Sequence, residues 1–309
     1  MLATAISKLK NLRAIKLDDS LESHETSMHW GARDLMVFAG VKWNIPDAER
    51  DLPGRADVTT LQTHKLMRAI NVAGHAERPS KLVELHVSAP KQHFRNVPMG
   101  LEPHRMGING NLDAFVRHQL THLSLNIHAY ARDGEDLVGK GIQFGTWLND
   151  MLGWNLKELR IRFTGDYDLQ KRPRSLGSVV WETLAGKMLP YLSRLEISGK
   201  IANTMPSNIV PAISMQRSTL EELVLGPLDT GDDEDRYLPC ADVFNAANQC
   251  TLLHSISFGL NATWFEWASE QETKACLNRM TTGGTIEDEE EIWDDSESST
   301  PDMRLVPGG

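Results

Sequence analysis

Cysteine is scarce in this sequence: three residues in 309, at Cys240, Cys250 and Cys276. An odd, sparse set with no Cys-x-x-Cys pair excludes a disulfide framework and the usual thiolate metal spacing. Three free thiols, packed as small apolar groups in a reducing compartment, are expected instead. Long hydrophobic runs are missing too, since no stretch approaches the ~18 apolar residues of a membrane-spanning helix. Residues 1–10 lack both the apolar core of a secretory signal and the arginine content of a transit peptide. An intracellular location, cytoplasmic or nuclear, with no membrane partner, is the expectation.

Positive charge is the next shortage. Lys and Arg total 32 against 42 Asp and Glu, a net charge of −10. The excess is concentrated at the C-terminus. Nine acids stand against the single base Arg304 in residues 281–309, which leaves residues 1–280 close to neutral. No basic stripe is available to displace counterions from a phosphate backbone, so nucleic acid is not an expected partner.

Signatures of catalysis are equally thin. His118 and His122 have the i, i+4 spacing of a zinc helix, but Gln119 stands where a zincin carries Glu, and no third ligand follows. There is no phosphate-cradling loop; Gly139-Lys140-Gly141 reads as a turn. No Gly-x-Ser-x-Gly elbow is present. No catalytic residue, cofactor site or metal site is assigned.

What the sequence does contain is a recurring aliphatic triplet, Leu-x-x-Leu-x-Leu with Ile, Val or Phe as substitutes. It appears as Leu12/Ile15/Leu17, Leu82/Leu85/Val87, Leu120/Leu123/Leu125, Leu156/Leu159/Ile161, Leu192/Leu195/Ile197, Leu220/Leu223/Leu225 and Leu253/Ile256/Phe258. The central positions are spaced by 70, 38, 36, 36, 28 and 33 residues. The doubled first gap implies an insertion or a degenerate unit over about 18–81. The alternation inside each triplet is strand chemistry, with every second residue on one face. Helical segments are expected between the strands: Val58–Ala73, Gly141–Leu152, Leu176–Leu189, Ala241–Gln249 and Ala262–Met280. Trp147, Trp154 and Trp181 read as packing between units. Trp264 and Trp267 read as a helical cap over the final one.

Strands joined by helices of this length lie parallel. One unit buries too little to stand alone, so such units stack. The expected fold class is α/β: a curved solenoid of irregular leucine-rich repeats, with the parallel sheet on the concave face and the helices on the convex face. It spans residues 1–280 as one domain. The acidic segment 281–309 is expected to be a disordered tail. An ordinary α/β domain with Leu-bearing strands is the competing reading.

The strings Leu12-Arg-Ala-Ile-Lys-Leu-Asp-Asp-Ser20, Asn155-Leu-Lys-Glu-Leu-Arg-Ile161 and Thr219-Leu-Glu-Glu-Leu-Val-Leu225 resemble the degenerate repeats of fungal F-box and leucine-rich-repeat proteins. The resemblance covers residues 9 to about 260 and carries no recognisable F-box. It implies a substrate-capturing repeat region. Ubiquitin-ligase subunits would be partners only if an F-box stands upstream.

Strand parity names the outward row: Ala14 and Lys16; Glu84 and His86; His122, Ser124 and Asn126; Glu158, Arg160 and Arg162; Arg194 and Glu196; Glu222 and Val224; Ser255 and Ser257. The candidate partner-binding residues are Glu84, His86, His122, Ser124, Asn126, Glu158, Arg160, Arg162, Arg194 and Glu196. Two readings stand side by side. One is a solvated ladder of cross-strand ion pairs. The other is a cationic patch of Arg160, Arg162 and Arg194 that engages an acidic segment of a protein partner, for which the acidic tail would compete. The expected function is a non-enzymatic protein–protein interaction module. The alternatives are an enzyme of unrecognised type on an irregular α/β sheet, or a truncated gene product without independent function.

Overall fold

A computed structural model describes residues 2–9, 11–18, 55–75, 82–88, 112–128, 137–164, 176–199, 206–228, 240–260 and 263–281. The tail beyond Thr281, most of the 18–81 segment, and the acidic loop Gly231–Asp235 lie outside these residues.

The element order is α1 (Leu2–Lys8), β1 (Ala14–Asp18), α2 (Arg55–Gly74), β2 (Glu84–Ser88), α3 (Ala114–Arg117), β3 (His122–His128), α4 (Leu137–Met151), β4 (Glu158–Thr164), α5 (Leu176–Ala185), β5 (Arg194–Gly199), α6 (Pro206–Met215), β6 (Glu222–Leu228), α7 (Ala241–Asn248), β7 (Ser255–Leu260), β8 (Thr263–Trp267) and α8 (Glu270–Thr281). The strands form one open sheet in sequential order, β1 to β8. The first seven are mutually parallel, and β8 returns antiparallel to β7.

The repeat sets the register. Ile15 pairs with Leu85, Leu85 with Leu123, Leu123 with Leu159, Leu159 with Leu195, Leu195 with Leu223, and Leu223 with Ile256. Because β1 pairs directly with β2, no strand intervenes in the sheet across the doubled gap. A backbone device recurs at the start of each strand. The carbonyl of the residue preceding one strand accepts two successive N–H groups from the next unit. Arg13 accepts from Val83 and Glu84 at 2.7 and 3.0 Å, Thr121 from Lys157 and Glu158 at 2.8 and 3.0 Å, and Ser193 from Glu221 and Glu222 at 2.8 and 2.9 Å. Val83, Lys157 and Glu221 do the same for the units that follow them. These bonds use main-chain groups alone, so outside the aliphatic triplet they tolerate any residue but proline at the donor positions.

Described helices and inward strand residues join a single apolar cluster. It runs from Ile6 in α1 through Met67, Leu123, Phe144, Trp181, Leu195, Ile209 and Phe244 to Leu277 in α8. The helices therefore cover one face of the sheet, and among the described residues no helix covers the other. At Gly199 the backbone has φ +89°, and a Cβ there would stand 2.0 Å from the Phe163 carbonyl oxygen. Only glycine fits so close an approach.

Four local expectations are corrected. The segment 262–280 is not one helix. Thr263-Trp-Phe-Glu-Trp267 alternates, and it folds as β8, which takes up the edge hydrogen bonds of β7; helix begins only at Glu270. Trp267 then stacks on Phe258 with centroids 5.3 Å apart. Gly139-Lys140-Gly141 lies inside α4 rather than in a turn. The Leu176–Leu189 segment is helical only to Ala185, while Leu189 is buried in the connection that follows. Trp147 and Trp181 are buried as expected, but Trp154 is 63% exposed because it falls in the loop after α4.

Candidate functional site

The outward face of the sheet gathers every predicted partner-binding residue. Pairing aligns them in rows that cross the sheet. One row reads Ala14, Glu84, His122, Glu158, Arg194, Glu222, Ser255; the next reads Lys16, His86, Ser124, Arg160, Glu196, Val224, Ser257, Glu266. A third, shorter row holds Asn126, Arg162 and Ser198. From β2 to β7 the residues of the first two rows are half-buried, while inward neighbours such as Leu85, Leu159 and Leu195 are fully buried.

The electrostatics differ from a cationic patch. Glu158, the least exposed carboxylate of the face, holds the Arg160 Nε, stands 3.7 Å from the Arg194 Nε and 3.6 Å from the His122 Nε2. Glu196 reaches Arg160 at 3.8 Å and Arg194 at 3.4 Å. Glu222 takes the Arg194 Nη1 from the next strand. Two guanidinium groups are thus enclosed by three carboxylates on adjacent strands. Neighbouring strands lie ~4.8 Å apart, so opposite charges in register neutralise one another across the rungs. Arg162, one position beyond this lattice, is exposed and has no ion-pair partner among the described residues. On β2, His86 and Glu84 approach to 3.5 Å. The Thr121 hydroxyl lies 2.8 Å from the His122 Nδ1 and fixes that ring beside Glu158.

His118 does not share a helical face with His122. It caps the four-residue α3, whereas His122 opens β3. Among the described residues no group of three or more His, Cys, Asp or Glu side chains is placed to hold a metal ion. The three cysteines are free and buried. Burial pushes the thiols of Cys240 and Cys250 up to about 11, so at neutral pH they are protonated rather than nucleophilic.

The helical side carries a cleft of ≈ 270 Å³ between α4 and α5, lined by Gly141, Ile142, Gly145, Thr146, Val179, Glu182 and Thr183. At its floor α4 and α5 pack closely through glycine: a Cβ on Gly145 would stand 2.8 Å from the Val179 Cγ1. Glu182 is its single titratable residue. Among the described residues no helix is long and apolar enough to cross a membrane.

The sequence reading missed the apolar and cationic edge where the strands begin. Its signal was the large side chain set one or two residues before the first Leu of several triplets, as in Trp154, Tyr191 and Leu252. No family model matches the chain, and neither a curated protein nor a solved structure is significantly similar to it.

Proposed function

We propose that this chain is a non-enzymatic protein-binding module, a curved solenoid of irregular leucine-rich repeats that presents its sheet as the recognition surface. The carrying observation is the uncovered outward face, on which polar rows run in register across seven parallel strands. An open array of half-buried Glu, Arg, His and Ser, anchored by inward side chains that cannot move, suits recognition of an extended polar partner surface. The resemblance to F-box repeat regions points the same way and makes substrate capture the specific form of the proposal.

The lattice of Glu158, Arg160, Arg194, Glu196 and Glu222 sets three carboxylates around two guanidinium groups, a formal charge of −1, so the partner segment is of mixed polarity rather than purely acidic. Specificity then comes from the sequence of donors and acceptors along the rows, as it does at rim-polar interfaces generally.

The test is capture of a partner by the full chain and by a variant carrying Asn126→Arg and Arg162→Glu. These two positions face each other in the third row and break no ion pair of the lattice. Loss of capture with an unchanged thermal midpoint supports the proposal; undiminished capture places the recognition surface elsewhere.

A further inference from the structure

One rim of the molecule has a composition that neither sheet face shares. The described segments leading from a helix into the following parallel strand lie at the edge where the parallel strands begin. Their polar groups bind each segment to the next. Asn155 Nδ2 donates to the His118 carbonyl at 2.6 Å, Lys187 Nζ to the Asn149 carbonyl at 2.6 Å, Gln216 Nε2 to the Lys187 carbonyl at 2.7 Å, and the Thr251 N–H to the Arg217 carbonyl at 3.3 Å. Large apolar side chains project from this continuous edge: Trp154, Met188, Tyr191 and Leu252, each 52–63% exposed. Isolated exposed apolar residues are ordinary, but a row of them on one edge marks a contact surface.

Cations accompany the row. In the connections 118–121, 152–157, 186–193, 216–221 and 249–254, Lys157, Lys187 and Arg217 stand against the single carboxylate Glu221. The Lys187 ammonium is held below its ordinary range by burial first and by the nearby Arg117 second, with Asp150 opposing. Two cations gathered around one carboxylate leave that stretch of rim electropositive.

The chain carries its own complement to this surface. Ile286–Glu297 sets eight carboxylates around Ile292 and Trp293. The last described helix ends close to the rim. Asn278 in α8 accepts a hydrogen bond at 3.1 Å from Asn248, the final residue of α7, next to the connection that bears Leu252. The twelve residue steps from Thr281 to Trp293 can extend up to ~40 Å. The three strand spacings from β7 back to β4 need only ~15 Å.

We infer that residues 286–297 form an intrachain ligand of this rim, with Ile292 and Trp293 covering the exposed row at Trp154 and Tyr191 and the flanking carboxylates facing Lys157, Lys187 and Arg217. Tethering keeps the segment at a high effective concentration, so modest contacts suffice. An external partner for the same edge must displace it, which makes the tail a built-in competitor at a surface separate from the outward face of the sheet.

The test uses the full chain with Ser298→Cys carrying a photo-crosslinker. The three native thiols are buried and leave the new one as the labelled site. Intrachain cross-links to 154–157, 187–191 or 217 are expected. They should fall about fivefold or more in ~0.5 M salt and in the Lys157→Glu/Arg217→Glu variant, whose positions are exposed. The Trp293→Ala variant, altered outside the described fold, should lose them equally. Cross-links to the polar face of the sheet, links only between separate chains, an absence of intrachain links, or yields unmoved by these changes would overturn the inference.

Discussion

On the inward face of the sheet, positions 123, 159, 195 and 223 are all Leu and all buried. One residue further along the same four strands, the outward face carries Ser124, Arg160, Glu196 and Val224. The inward position of each rung meets the same position of its neighbours and the helix layer behind it, so one residue type recurs. The outward position meets solvent and a differing neighbour, so it is free to vary. The inward face therefore specifies the architecture, and the outward face and its rim carry whatever is particular to this protein.

The contrast can be broken most forcefully from the inside. Leu195→Ala removes a fully buried side chain between two other leucines and is expected to lower unfolding stability by about 3–4 kcal/mol. Val224→Ala, outward on the adjacent strand and half-buried, should cost less than ~1 kcal/mol. Denaturant unfolding of the two variants measures the difference, and equal costs would mean the faces are not distinct.

The buried thiols give a second, pH-dependent handle on the inward side. Cys240 and Cys250 ionise near 11 when folded and near 9 when exposed. Between those values the unfolded chain has released protons that the folded chain still holds, so stability falls as pH rises from about 9 to 11. The loss approaches 2–3 kcal/mol for each thiol over the full shift. Unfolding midpoints followed over this range should drop less steeply in the Cys240→Ala/Cys250→Ala variant than in the parent.

Outward substitutions sharpen the comparison at the small end of the scale. Glu158→Gln withdraws the charge shared by Arg160, Arg194 and His122 and should cost about 1 kcal/mol, less in high salt. Arg162→Glu breaks no ion pair among the described residues and should leave stability within ~0.5 kcal/mol. A larger effect at Arg162 than at Glu158 would contradict the lattice described for this face.

The same contrast explains how much could be read from the chain alone. The register from β1 to β7 was legible because it rests on repeated Leu, Ile and Phe at fixed phase. The identity of the outward residues followed from parity, and both a ladder of cross-strand ion pairs and a cationic patch were compatible with it. Whether Arg160 and Arg194 stand as a cationic patch or join an ion-pair lattice depends on how their side chains turn toward Glu158, Glu196 and Glu222, and the aliphatic phase does not fix that. The chain end misled for a different reason. Trp264 and Trp267 have helical spacing, yet Phe265 and Trp267 also have strand spacing, and the unpaired edge of β7 decides between them. At α6 the interior Pro211 hides a helix from a propensity reading. Trp154 was misplaced because Gly153 ends its helical context and turns it outward. A Cβ on that glycine would meet the Arg117 carbonyl oxygen at 2.3 Å.

The register itself admits a direct chemical measurement. Asn126 faces Arg162 on the neighbouring strand, and Ser198 stands one strand further on. Cysteines placed at adjacent rungs, ~4.8 Å apart, lie within disulfide range, whereas those two rungs apart, near ~10 Å, do not. Under mild oxidation the full chain with Asn126→Cys and Arg162→Cys should form an intramolecular bridge and keep its thermal midpoint, while Asn126→Cys with Ser198→Cys should remain reduced. Bridging of the distant pair in preference to the near one would show that these strands are not successive rungs of one parallel sheet.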